Sequence, residues 1–147
     1  MSCQITNIMI ATDQFPRLLL AGKSTLTLRN PKRGTHIRVR MYNKKDRAGN
    51  PSTCFFLKVS LLGDSDTGYR YAGAYFSDSK RFKAAPELEV DPPLAAVVSL
   101  ILRAIDTPNL LSSAEIMHEG KCCRCGRKLT HPESIETGLG PECGGRV

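Results

Sequence analysis

Hydrophobic and polar residues alternate through much of the first half of the chain, with the period of two that is typical of half-buried β-strands. Four segments show this pattern: KSTLTLRN, THIRVRMY, TCFFLKVSLLG and YRYAGAYF. In THIRVRMY, the clearest of them, Ile37, Val39 and Met41 face one way and the polar residues face the other. Glycine- and proline-containing turns separate the segments. Short connections favour pairing between neighbouring strands, so the pattern predicts an antiparallel meander.

The two faces of this predicted sheet differ in chemistry. One face is aliphatic, and the other carries arginine, lysine and tyrosine. In YRYAGAYF, the alternation predicts that Tyr69, Tyr71 and Tyr75 share a face, with Gly73 between them. The aliphatic face requires a covering layer, and the second half of the chain offers one helix for it.

That helix is predicted in VDPPLAAVVSLILRAID, where Asp91 can cap the first turn and Pro92 and Pro93 fit positions that need no amide donor. The segment SAEIMHEG is a candidate for one more strand. The sequence therefore predicts an α+β fold: an antiparallel β-meander of about four to five strands packed on one helix. We expect residues 1–112 to form this domain and residues 113–147 to form a small zinc-binding module.

Charge is unevenly distributed in this chain of 147 residues, whose net charge is +7. Between Arg17 and Lys58 there are eleven basic residues, and Asp46 alone opposes them. A positive field of this kind attracts a polyanion or an acidic protein surface, although solvated strand faces would show the same composition. The sequence shows no signal-peptide pattern and no apolar run long enough for a membrane span, so we expect a cytoplasmic protein in a reducing setting.

The basic strand region is the candidate binding surface for nucleic acid or another partner. Cations that meet phosphates, beside tyrosines that stack on bases, are typical of proteins that bind single-stranded nucleic acid. Packing on a half-exposed sheet would explain the tyrosines equally well. The candidate residues are Arg29, Lys32, Arg33, Arg38, Arg40, Tyr42, Lys44, Lys45 and Arg47.

A cysteine-rich stretch, HEGKCCRCGRKLTHPESIETGLGPEC, occupies residues 118–143. Cys122 and Cys125 have the spacing of a zinc knuckle, and Cys143 follows a turn typical of the second half of a treble-clef finger. Tetrahedral zinc needs a fourth ligand, which is His118 by its place at the end of a predicted strand, or else His131. Cys123 is expected to point away from the metal.

Other interpretations of the cysteines explain less. A thioredoxin-type redox pair would need a surrounding βαβ pattern, and disulfides would need an oxidising compartment. Four protein ligands leave zinc no open position for water, so we expect structural zinc and no enzyme activity. Nothing in the sequence suggests a small-molecule substrate or a membrane partner.

The motif His-x₃-Cys-x-x-Cys-Gly-Arg-x-Leu-Thr, followed by Gly-x-Gly-Pro-x-Cys, resembles the C-terminal domain of a family of small bacteriophage and bacterial proteins of unknown function. A less specific resemblance extends over residues 20–147. It implies a zinc-binding module with His118, Cys122, Cys125 and Cys143 as ligands, and a phage source, but no activity. Two functions remain open: a nucleic-acid-binding accessory protein, or a phage-encoded protein that docks on a host defence complex, as an anti-CRISPR protein does, and inhibits it.

Overall fold

The computed structural model describes residues 8–61, 68–129 and 137–140. Within them, seven strands form one antiparallel sheet. The strands are β1 (Ile8–Ile10), β2 (Lys23–Asn30), β3 (Thr35–Lys45), β4 (Pro51–Ser60), β5 (Arg70–Phe76), β6 (Arg81–Ala84) and β7 (Glu115–His118). Two α-helices, α1 (Phe15–Leu19) and α2 (Pro92–Asp106), complete an α+β fold, as predicted.

The order of the strands is β1-β7-β2-β3-β4-β5-β6. The four alternating segments form β2 to β5 and pair in sequence, which confirms the meander. The predicted count of four to five strands is wrong, because β1 and β6 are too short to show an alternating pattern. The segment SAEIMHEG contributes β7, which lies between β1 and β2.

One face of the sheet carries the core. Leu26, Val39 and Val59 lie side by side on β2, β3 and β4, and all three are fully buried. Met41 and Leu57 form the next row on the same face and are equally buried. The aliphatic face predicted from the alternation is therefore the core face.

Helix α2 begins where it was predicted to begin. The Asp91 side chain accepts a hydrogen bond from the Leu94 amide at 3.2 Å, and prolines occupy the first turn. The helix buries one stripe of residues, at a spacing of three and four, and leaves the other side exposed. That stripe consists of Leu94, Val98, Ile101, Ala104 and Ile105.

The prediction of a single helix is wrong, because α1 covers the core as well. Phe15, Leu18 and Leu19 are buried in it. Five residues are too few to show the helical period of 3.6, so the sequence pattern did not reveal this element.

The predicted common face of Tyr69, Tyr71 and Tyr75 is also wrong. Tyr71 lies opposite Lys58, but Gly73 lies opposite the preceding residue, Leu57, so β5 holds one extra residue at this point. Such a bulge reverses the alternation, and it places Tyr75 opposite Phe55 in the core.

Gly73 fits this bulge for a steric reason. Its φ is +146°, and a Cβ atom there would lie 2.3 Å from the carbonyl oxygen of Lys83 on β6. Any side chain would therefore push β6 away from β5.

Strand β7 belongs to the sheet although it follows residue 112, where the sequence suggested a domain boundary. It pairs with both β1 and β2. The division of the chain at that residue stays a prediction. No helix in the described part of the chain is long and apolar enough to cross a membrane.

Candidate metal centre and basic groove

The Cys122–Cys125 segment forms a tight reversal of the chain, which we call the knuckle (residues 121–128). The Cys122 amide donates to the carbonyl oxygen of Arg127, and the Gly126 amide donates to that of Cys122, each at 2.8 Å. Lys121 and Lys128 close the reversal as an antiparallel bridge. Gly126 has a φ of +81°, a left-handed conformation that favours glycine.

The knuckle prepares the Cys122 thiol for ionisation. Its Sγ accepts hydrogen bonds from the amides of Arg124 at 3.4 Å and Gly140 at 3.3 Å. Burial raises the pKa of Cys122, but the amides of Gly140, Cys125 and Arg124, with the Cys125 side chain, outweigh burial and lower it to about 7. A thiolate held by backbone amides is the form that binds zinc.

The neighbouring thiol, Cys123, has the opposite character. Burial, followed by the negative charges of Cys122 and Glu119, raises the pKa of Cys123 to about 12. Its backbone joins the knuckle to the rest of the fold, because its amide donates to Gly138 at 2.9 Å and its carbonyl accepts from the Lys23 amide at 2.7 Å. These contacts suit a residue that anchors the knuckle and stays a thiol at neutral pH.

His118 lies at the end of β7, opposite Leu26 on the core face, and is 0% exposed. Its Nδ1 atom accepts a hydrogen bond from the Gly120 amide at 2.9 Å. A neutral imidazole that accepts at Nδ1 carries its proton at Nε2. His118 must therefore give up the Gly120 bond before either ring nitrogen can be used to bind a metal.

The structure brings two of the four predicted zinc ligands together. Cys122 and Cys125 share a side-chain hydrogen bond within the knuckle. Among the described residues, no three His, Cys, Asp or Glu side chains form a group that could hold a metal ion. The third predicted cysteine, Cys143, and the alternative ligand, His131, lie outside the described residues. The thiol pair fits zinc, His118 fits only after losing the Gly120 bond, and the zinc site stays a prediction.

The knuckle packs against the chain that enters β2. A Cβ atom on Gly22 would lie 3.1 Å from the carbonyl oxygen of Arg124, and one on Gly126 would lie 3.0 Å from Cδ of Lys23. Two glycines thus allow the close approach of the two segments. The contact makes the knuckle one wall of a groove at this end of the sheet.

This basic groove has a volume of 1410 Å³ and lies between the knuckle, helix α1, the start of β2, the end of β3 and strand β4. Glu119 is the one carboxylate among the described residues that line it. Seven cations of the described segments face it: Arg17, Lys23, Arg40, Lys45, Lys58, Lys121 and Arg124. Five of the seven, all except Arg17 and Arg124, form no ion pair with any carboxylate in the described part of the chain.

Three of the nine residues predicted for the binding surface line the groove, namely Arg40, Tyr42 and Lys45. Lys44 is exposed near the end of β3, and Arg47 is exposed in the connection between β3 and β4. These five residues occupy one end of the sheet.

The other four predicted residues lie elsewhere or are engaged. Arg38 is only 7% exposed and is ion-paired with Glu119. Arg29 is paired with Glu115 at 2.6 Å. Lys32 and Arg33 are exposed in the turn between β2 and β3, beyond strand ends that lie roughly 17 Å from Thr25 and Arg40, the nearest groove residues on these strands.

The polar face carries an aromatic row, of which the sequence predicted Tyr42 as a binding residue but not Phe56. The rings of Tyr42 and Phe56 are 5.8 Å apart, and those of Phe56 and Tyr71 are 6.2 Å apart. Lys58 lies 5.6 Å from the Tyr42 ring centre, and Arg40 lies 4.4 Å from that of Tyr69. Phe56 stands between two core residues in the sequence, and its alternation with Phe55 and Leu57 was the signal that could have revealed it.

Comparison with known proteins gives a match to the C-terminal part of the chain. A model described as "Family of unknown function (DUF6011)" matches residues 112–147, which include β7 and the knuckle. No curated protein and no solved structure matches the chain. The C-terminal part is thus similar to a family whose activity is not known.

Proposed function

We propose that this protein is a non-enzymatic nucleic-acid-binding accessory protein of bacteriophage type, which acts in the cytoplasm of the host cell. It binds the phosphate backbone of a single strand in the basic groove. The observation that carries this proposal is the imbalance of charge in the groove, where, among the described residues, seven cations face one carboxylate. Five of these cations have no carboxylate partner among the described residues, so their charge is available to a polyanion.

The one carboxylate of the groove does little to offset this charge. Glu119 already accepts from Arg38, so its charge is balanced within the fold. The cations come from separate elements: helix α1, the start of β2, the strands β3 and β4, and the knuckle. A positive surface of this kind binds the phosphate backbone and does not by itself distinguish one base from another.

A structural zinc ion is part of the proposal. Cys122 and Cys125, with Cys143 and His118, would hold it. Zinc at this position would supply folding free energy to the tail of the chain. The knuckle contributes Lys121 and Arg124 to the groove, so the same ion would also hold one wall of the binding site in place.

Fluorescence anisotropy with a labelled single strand, measured over a series of salt concentrations, tests the proposed function. We expect affinity that falls steeply as salt rises, because each phosphate contact releases bound counterions. Lys45→Gln and Lys58→Gln should each weaken binding and reduce the slope of log affinity against log salt by about 0.7.

The turn between β2 and β3 supplies the matched control. Lys32→Gln removes the same charge beyond strand ends that lie roughly 17 Å from the nearest groove residues of β2 and β3, and it should leave the slope almost unchanged. Equal effects of Lys32→Gln and Lys58→Gln would show that net charge, and not the groove, governs binding. If the wild-type protein binds neither single- nor double-stranded nucleic acid at low salt, the proposal is wrong and docking on a host defence complex becomes the function to test.

A further inference from the structure

Three neighbouring strands present an aromatic row on the polar face of the sheet. Tyr42 on β3, Phe56 on β4 and Tyr71 on β5 stand next to one another, with ring centres 5.8 Å and 6.2 Å apart. Tyr71 is 39% exposed, and Tyr42 and Phe56 are partly exposed. The row begins at the basic groove, because Tyr42 belongs to the row and also lines the groove.

We infer that this row is a base-stacking platform, and that the groove and the row together form one site for single-stranded nucleic acid. The inference rests on the proposed function and adds the part of the ligand that the protein recognises. Phosphates lie along the cations of the groove, and the bases attached to them turn onto the rings of Tyr42, Phe56 and Tyr71. Stacking on aromatic side chains tolerates any base, because every base has a π-face.

Two observations favour a ligand over sheet packing alone. The core face of the same strands already holds the hydrophobic core, so the row is not needed to cover it. Two cations also lie beside the row. Lys58 lies over the ring of Tyr42. Arg40, two residues before Tyr42 on β3, lies over the ring of Tyr69. Neither cation is ion-paired with a carboxylate of the described residues. Because Tyr42 lies opposite Phe56 and Arg40 lies opposite Lys58, a row of rings runs beside a row of available cations, as the bases of a nucleic-acid strand run beside its phosphates.

The platform implies a preference for single strands. In a duplex the faces of the bases are stacked within the helix, so only the phosphates can be reached by a flat sheet face. A single strand offers both phosphates and base faces. We therefore expect oligothymidylate and oligouridylate to bind more tightly than a duplex of equal length. If oligothymidylate binds more tightly than oligouridylate, the ligand is DNA, and the opposite order assigns RNA.

The test uses the full chain and the variants Phe56→Leu and Tyr71→Leu. Each should weaken binding of the single strand by about tenfold, because one stacked base is lost. The salt slope should stay at the wild-type value, because the phosphate contacts remain. Phe82→Leu is the matched control, since Phe82 pairs with Tyr75 on the core side of the same sheet, away from the row. Its affinity should remain that of the wild type.

A fluorescent variant keeps the inference testable even where a leucine variant does not fold. The chain contains no tryptophan, so Phe56→Trp introduces a single reporter at the centre of the row. We expect Phe56→Trp to bind as tightly as the wild type, and its emission to be quenched when a base stacks on it.

The results separate this inference from the proposed function. A wild-type protein that binds no nucleic acid overturns both. A wild-type protein that binds with the expected salt dependence, but whose Tyr71→Leu and Phe56→Leu variants keep full affinity, overturns the platform alone. The platform is equally overturned if Phe56→Trp is not quenched, or if a duplex binds as tightly as a single strand.

Discussion

Arg38 in the middle of β3 forms an ion pair with Glu119, the residue that directly follows β7. The two side chains are 8% and 17% exposed. The pair ties the strand that carries the polar face to the segment that leads into the knuckle. Arg38 was predicted to meet phosphate, but its position makes it a residue that holds the groove together.

Neutralising Glu119 should destabilise the fold, because Glu119→Gln removes a charged partner of the mostly buried guanidinium of Arg38. Breaking a buried pair from one side costs about 3–5 kcal/mol. Urea unfolding measures the loss. The matched control is Glu115→Gln, which breaks the more exposed pair with Arg29 on the neighbouring strands and should cost less than about 1 kcal/mol.

Removing both charges of the buried pair gives a second check. The double variant Arg38→Met, Glu119→Leu should recover most of the stability lost in Glu119→Gln, because no buried charge is left unpaired. Equal costs for Glu119→Gln and Glu115→Gln would contradict the assignment of Arg38 and Glu119 as a buried structural pair.

The zinc ligands can be assigned by metal analysis of purified variants. We expect one zinc ion per chain, lost in Cys125→Ser and in His118→Ala and retained in His131→Ala. Cys54→Ser, on β4, is the control that should keep the metal. Zinc retained in His118→Ala and lost in His131→Ala would show that His131, and not His118, is the ligand.

The hydrogen bond between Gly120 and His118 supplies an independent measurement. Zinc bound to either ring nitrogen of His118 requires this bond to break, because the neutral ring now accepts at Nδ1. The Gly120 amide should therefore exchange its hydrogen faster in the zinc-bound protein than in the zinc-free protein. Equal exchange rates would count against His118.

Metal removal should weaken nucleic-acid binding as well as stability. The knuckle forms one wall of the groove and contributes Lys121 and Arg124 to it. We expect a strong chelator to lower both the affinity for a single strand and the salt slope, and added zinc to restore them. Unchanged binding in protein shown to be metal-free would mean that the knuckle keeps its form without the ion.

The stability of the protein at alkaline pH tests the environment of Tyr71, the most exposed residue of the aromatic row. Burial, followed by the negative charge of neighbouring groups, of which Cys54 is the first, raises the pKa of Tyr71 above 10.0. The folded state then holds the phenol proton more tightly than the unfolded state, so stability falls as pH rises from 10.0 through the folded-state pKa. Tyr71→Phe lacks this proton and should lose less stability over that range, as thermal unfolding would show. An identical loss in wild type and variant would contradict the shifted pKa.

The local pattern of the sequence was sufficient for the central strands and the main helix. Alternation placed Leu26, Val39 and Leu57 on a common core face, because a strand buried on one side needs an apolar residue at every second position. Capping by Asp91 located the start of α2, because helix ends depend on local hydrogen bonds. The close spacing of Cys122 and Cys125 likewise predicted a knuckle-like turn, since the turn is formed by the residues between them.

Features that depend on contacts between distant residues were decided by the tertiary structure. Strand β7 reaches its place between β1 and β2 from the far end of the chain, and no local pattern reports such pairing. The bulge beside Gly73 reverses the alternation and moves Tyr75 into the core. The groove unites cations from residues as far apart as Arg17 and Arg124, and the buried partner of Arg38 is Glu119. Sequence alone determined which residues could face the core or carry charge. Only packing decided which of those charges are neutralised and which remain open to a ligand. Whether a charge is neutralised depends on which side chains the fold brings within a few ångströms of it.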